Sequence, residues 1–203
     1  METYRTCIIS LILLLYMAGV PALANNTFKM KGETLDYTYT NTGFGGRLIV
    51  TSDLNWKEKW NTPSGRIPSF TEKERIGLGE SIAVLILYTN PAVDQTNRIN
   101  IFCDIRLKQP DGQISLEQKD VVCANEQIKG DTRNIRLSYA VLDFSVDVSD
   151  PYGVWTIEVK LKDEISGSEV YLRRFLEVVN RATVASLATV SMSSLPAQTQ
   201  TSL

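Results

Sequence analysis

From Trp155 to Leu161 the odd positions are all apolar, while the even positions are Thr156, Glu158 and Lys160. A period of two belongs to a β-strand with one face on a core and the other in water. Residues 166–168, Ser-Gly-Ser, form a turn cluster, and residues 169–178 run back as the partner strand. The chain therefore closes its fold with a β-hairpin. A lone hairpin is marginal in water, so this one requires a wider sheet and a second layer to cover it.

The rest of the chain supplies the strands. Residues 47–51 read as a strand after a turn at Thr42-Gly43-Phe44-Gly45-Gly46. Residues 82–88 are apolar on both faces, the pattern of a central strand. Ile99, Ile101, Cys103, Ile105 and Leu107 alternate with mostly polar neighbours, which puts Cys103 on the inner face. Pro110-Asp111-Gly112 predicts a hairpin turn that returns Cys123 towards that strand. Residues 135–148 hold one or two further strands. Asp150-Pro151-Tyr152-Gly153 fits a type I turn, with Asp first, Pro second and Gly fourth.

One short helix is expected near residues 52–60. Ser52 or Asp53 would cap it, and Pro63 lies beyond its end. Trp56 and Trp60 are four apart and share a face. Two readings follow. The pair forms an aromatic platform for a ligand such as a sugar, or it plugs the end of the sandwich.

The N-terminus carries a targeting signal. Arg5 precedes an apolar run over residues 7–20; Pro21 breaks it, and Ala22-Leu23-Ala24 places small residues at a cleavage site. This pattern predicts a secretory signal peptide over residues 1–24, cut between Ala24 and Asn25. An exported chain with Cys103 and Cys123 remaining is expected to join them in a disulfide. Closing that loop is worth about 3 kcal/mol in the chain-entropy model. The division is then a signal peptide (1–24), an N-terminal segment (25–46), a sandwich domain (47–180) and a tail without charge beyond Arg181, read as disordered (181–203). The expected location is periplasmic or extracellular.

Composition narrows the function. Lys plus Arg is 21 against 23 Asp plus Glu, so there is no basic excess to hold nucleic acid. The chain has no histidine, which removes the commonest general base and a frequent metal ligand. No calcium loop, nucleophile elbow or CxxC motif is present. Asp143, Asp147 and Asp150 cluster in sequence, but strand spacing does not by itself make a cleft. No cofactor, metal or catalytic residue is expected, nor a membrane span once the signal is removed.

Asp150-Pro151-Tyr152-Gly153-Val154-Trp155-Thr156-Ile157-Glu158-Val159 resembles the entry to the last hairpin in immunoglobulin-like modules of secreted bacterial proteins, macroglobulin-type ones included. Gly45-Gly46-Arg47-Leu48-Ile49-Val50-Thr51, Lys57-Glu58-Lys59-Trp60-Asn61-Thr62-Pro63 and the Pro110-Asp111-Gly112 hairpin between the cysteines resemble a family of small exported bacterial proteins without assigned function. The resemblance covers residues 48–178 and brings no catalytic residue with it. Trp155 follows both cysteines, so the antibody order of Cys, Trp, Cys is not met.

The expected fold is an all-β, immunoglobulin-like antiparallel sandwich with one short helix and about seven to nine strands. The expected function is a non-enzymatic binding or assembly module of the cell envelope. Its partner would be another envelope or secreted protein. The alternative is a carbohydrate-binding module using Trp56 and Trp60; a carboxylate-dependent hydrolase comes third.

Overall fold

The computed structural model describes residues 10–11, 37–62 and 68–180. Ala24, Asn25 and residues 181–203, which carry the cleavage and tail expectations, lie outside these. The strands are β1 (Ser10–Leu11), β2 (Thr38–Tyr39), β3 (Gly45–Thr51), β4 (Arg75–Gly77), β5 (Ser81–Thr89), β6 (Arg98–Lys108), β7 (Ile114–Gln127), β8 (Arg136–Ser145), β9 (Gly153–Asp163) and β10 (Ser168–Val179). The helix, α1, spans Trp56–Trp60. Sheet A has the order β1-β8-β5-β3-β2 and sheet B the order β4-β10-β9-β6-β7. The fold is an immunoglobulin-like β-sandwich. Its described pairings are antiparallel except for β4 on β10.

The period-two pattern produces the main core. Trp155, Ile157, Val159 and Leu161 of β9 and Ile99, Ile101, Cys103, Ile105 and Leu107 of β6 all face inward and are buried. They meet Leu48, Val50, Ile82, Val84, Ile86, Leu142 and Phe144 from sheet A. Strand β5 is central, between β8 and β3. Its second apolar face, Ala83, Leu85 and Leu87, belongs to a smaller cluster on the outside of sheet A. That outer cluster explains why residues 82–88 lack alternation.

Cys103 and Cys123 form a disulfide with Cα atoms 5.8 Å apart. Both residues are fully buried. The bridge joins β6 to β7, neighbours in one sheet, and so fixes the edge strand of sheet B. The 20-residue separation predicts a loss of about 3 kcal/mol on reduction. Urea unfolding with and without reductant measures this, and coincident midpoints would contradict it.

Three local expectations are corrected. Gly45 and Gly46 are not part of the turn but belong to β3. A Cβ on Gly46 would lie 2.5 Å from Leu161 Cδ1, so glycine there lets the two sheets approach. The position before α1 is Asn55, without a side-chain cap. Asp53 is used elsewhere: its carboxylate accepts the Thr71 N–H at 2.7 Å and pairs with Lys59 at 2.8 Å. A hydrogen-bonded turn before β9 runs from Asp147 to Asp150, three residues earlier than the expected one. Asp150 is held there because its Oδ2 accepts the Asp147 N–H at 2.7 Å. Residues 75–77 add a short strand, β4, that runs parallel to β10.

One side of the sandwich is latched by charge. Glu72 accepts from Arg47 at 2.6 Å and from Arg174 at 3.3 Å, and Arg174 Nε also donates to the Leu48 carbonyl at 3.2 Å. Arg174 comes from sheet B and Leu48 from sheet A, so this cluster ties β10 to β3.

Candidate functional site

Two outer faces of the sandwich carry the chemistry worth weighing. On sheet A the register aligns Ile49, Leu85 and Val141 in one row and Thr51, Ala83 and Asp143 in the next. The apolar members of these rows are buried, and Trp56, Trp60, Phe70, Ile135 and Leu137 lie half-buried against them. A five-residue helix is too short to persist alone, so α1 depends on this docking. The tryptophans therefore lie over the outer face of sheet A rather than at the end of the sandwich. Lys57 Nζ sits 5.2 Å from the Trp56 ring centroid, within cation–π reach.

Asp143 lies at the rim of this face. Burial raises its carboxyl above the ordinary carboxylate value of 3.8, with Lys57 opposing the rise. An acid with a raised folded pKa binds more protons folded than unfolded. Stability then falls as pH climbs from about 3.8 through the raised value. Asp143→Asn is expected to stabilise the protein at pH 7, by under about 1 kcal/mol given solvent screening. The gain should vanish below pH 4. Chemical denaturation at the two pH values checks this; an equal difference at both would contradict it.

The outer face of sheet B is a ladder of ion pairs. Glu158 pairs with Lys108 at 2.9 Å and Arg173 at 3.0 Å. Arg106 pairs with Glu117 at 2.5 Å, and Lys162 bridges Asp104 and Asp120 at 2.8 and 2.7 Å. A shallow depression holding Asp104, Glu117 and Glu158 is the polar hollow a carboxylate hydrolase would need. Every one of these carboxyls is shifted down. The Arg106 hydrogen bond lowers Glu117, and Lys108 lowers Glu158. Burial pushes Asp104 up, but hydrogen bonds from Lys162 and the Asp120 N–H outweigh it. A general acid needs a carboxyl that keeps its proton near neutrality, which is the opposite shift. No cluster of three metal-ligating side chains occurs among the described residues.

Strand β10 adds what the sequence reading passed over. Its inward residues are Val170, Leu172, Leu176 and Val178, all buried. Tyr171, Arg173 and Phe175 occupy the intervening outward positions, with Tyr171 66% and Phe175 58% exposed. Spaced by two along one strand, they form a row about 14 Å long. Val154 lies diagonal to Phe175, since it pairs with Glu177 while Phe175 pairs with Thr156, and it too is exposed. The signal was present in the sequence: two aromatics at positions of the polar phase of an alternating strand. The hydroxyl of Tyr171 donates to Glu169 at 2.8 Å, which steadies the ring.

No protein-family model matches the chain. No curated protein matches it in sequence. Among solved structures it is similar to a family 123 glycoside hydrolase from Clostridium perfringens, at 9% identity and a TM-score of 0.40, over 68% of this chain. The chain spans only 27% of that protein's length. It is also similar to the CARDB domain of a Pyrococcus furiosus protein, at 6% identity and a TM-score of 0.36 over 74% of this chain and 100% of that one. A Niemann-Pick type C2 protein from the Japanese carpenter ant is similar at 14% identity and a TM-score of 0.37, over 70% and 98% of the two chains. None of them brings a residue role to this chain.

Proposed function

We propose that this protein is a non-enzymatic binding or assembly module of the periplasmic or extracellular space, taking another envelope or secreted protein as partner. The observation that carries the reading is the exposed Tyr171–Arg173–Phe175 row on β10. Tyr, Phe and Arg are residue types enriched at protein interfaces, and Tyr and Arg dominate their energetic centres. Here they stand on a hairpin paired without a break from Asp163–Ser168 to Gly153–Val178, a rigid mount that costs little ordering on binding. The buried disulfide and the leader pattern of residues 1–24 support the exported location, as does the resemblance to small exported bacterial proteins with macroglobulin-type sandwiches. The test is capture from an envelope extract by the native protein and by the Tyr171→Ala/Phe175→Ala double variant. The native protein is expected to retain a partner that the variant loses, with the melting temperature unchanged. Identical captures would end this reading. Mass spectrometry of exported protein is expected to find an N-terminus at Asn25.

A second reading keeps Trp56 and Trp60 as a carbohydrate platform, because both residues are only half-buried. Trp56→Ala and Trp60→Ala would then abolish binding on a glycan array while barely moving the melting temperature. A falling melting temperature with no array signal from the native protein would leave the rings as packing for sheet A.

A further inference from the structure

The four sheet edges differ in how they are guarded. In sheet B, β4 is a three-residue edge. The other edge, β7, shifts register against β6 at three places, bends at Asp120 with φ +52°, and carries Glu117, Lys119 and Asp120. Bulges, short strands and charge are the usual defences against strand addition. In sheet A, β2 is two residues long. The remaining side, β8 beneath the two-residue β1, is neither short nor bulged over residues 141–145. That stretch pairs with β5 from Ser81 to Leu85 without a register shift, and Asp143 is its single charge. A regular, apolar strand with one open side is a template for another strand.

The chain itself uses this template. Ser10 and Leu11 pair antiparallel with Asp143 and Leu142. They come from the apolar run over residues 7–20, and among the described residues they are all that is paired to this side of β8. A two-residue pairing gives few main-chain hydrogen bonds, whereas a segment spanning residues 141–145 would make more. Removal of residues 1–24, as the leader reading expects, would vacate the seat altogether.

We propose that the outer edge of β8, residues 141–145, is a strand-addition site. Its ligand is an extended apolar segment of a partner protein, which pairs antiparallel in the place of Ser10–Leu11. The partner's chemistry is set by the occupant the edge already takes: an apolar stretch without proline. This site lies on the opposite sheet from the Tyr171–Arg173–Phe175 row and does not depend on it, so either can fail alone.

The test uses the full chain and a soluble peptide copying residues 8–13 between paired lysines. Amide hydrogen exchange of native protein and of Leu11→Pro is followed by mass spectrometry. Proline removes a donor from the seated strand, so residues 142–143 are expected to exchange faster in the variant. Saturating peptide is expected to slow exchange of 141–145 by at least tenfold, at a lower peptide concentration in Leu11→Pro than in the native chain. A control peptide with proline at the positions of Ile9 and Leu11 should have no effect. Protection that appears elsewhere, equal protection by the control, or none at all overturns the proposal. So does protection of 141–145 that rises with protein concentration alone, since the occupant would then be a second copy.

Discussion

Replacing Trp155 by alanine is expected to lower unfolding stability by about 3–5 kcal/mol, much of the margin of an ordinary domain. Trp155 is fully buried at the start of β9. Its ring lies 5.2 Å from that of Phe144 on the facing sheet, and its Nε1–H donates to the Pro151 carbonyl at 3.0 Å. Truncation therefore removes the largest fully buried side chain, leaves a carbonyl without its donor and opens a void between two sheets. Each sheet is held by its own ladder, so neither can move in to fill the space. Trp155→Phe keeps most of the packing but not the hydrogen bond, and should cost less than the alanine. Trp56→Ala offers the contrast: the same residue type, half-buried outside sheet A, with an expected loss of about 1–2 kcal/mol. Urea denaturation of the three variants gives the order. A Trp155→Ala loss below that of Trp56→Ala would show that the core is not centred where β9 places it.

The elements readable from sequence are those with long alternation or a covalent mark. Strands β6, β9 and β10 each run for 11 or 12 residues, long enough for the period of two to emerge. The disulfide followed from two cysteines and a hairpin between them. What could not be read depends on distant partners. Strand β4 has three residues and exists because β10 offers it a parallel neighbour. Gly45 and Gly46 look like turn residues by composition, yet Leu161, more than a hundred positions away, needs the space beside Gly46. Strand β8 shifts register against β5 between Leu85 and Leu87, a bulge that alternation alone does not reveal. The outer cluster under α1 was half visible: the two-faced apolarity of β5 was plain, but not that a helix rather than another sheet would cover it. The aromatic row on β10 was legible in principle, because Tyr171 and Phe175 break the polar phase of their own strand. The ion-pair ladder of sheet B was not, because it requires knowing which strand lies beside which.

Asp163→Ala is expected to cost about 3–4 kcal/mol, although in sequence Asp163 merely ends a hairpin strand. It is 1% exposed. Its Oδ2 accepts the Ala92 N–H at 2.8 Å and the Ser166 hydroxyl at 2.8 Å, and its Oδ1 accepts the Ile165 N–H at 3.1 Å. Ala92 belongs to the connection leaving β5 of sheet A, while Ile165 and Ser166 form the β9–β10 turn of sheet B. One carboxylate thus fastens a loop of one sheet to a turn of the other, and the Gly167 N–H closes the turn on the Asp163 carbonyl at 2.8 Å. Hydrogen bonds to a charged acceptor contribute about 1.5–3 kcal/mol each, and a buried donor left without a partner costs about 1–3 kcal/mol. Those figures sum to more than the expected loss, because a loop and a turn at the end of the sandwich can admit water to some of the freed donors. Asp163→Asn separates the contributions. A carboxamide keeps one acceptor oxygen but turns an NH2 towards donors on the other side, so it should lose about half as much as alanine. The change should also be local first: in both variants the Ala92 amide is expected to exchange faster than the strand amides of β5. If Asp163→Ala unfolds at the native midpoint with Ala92 still protected, the carboxylate is not the fastener between the two sheets.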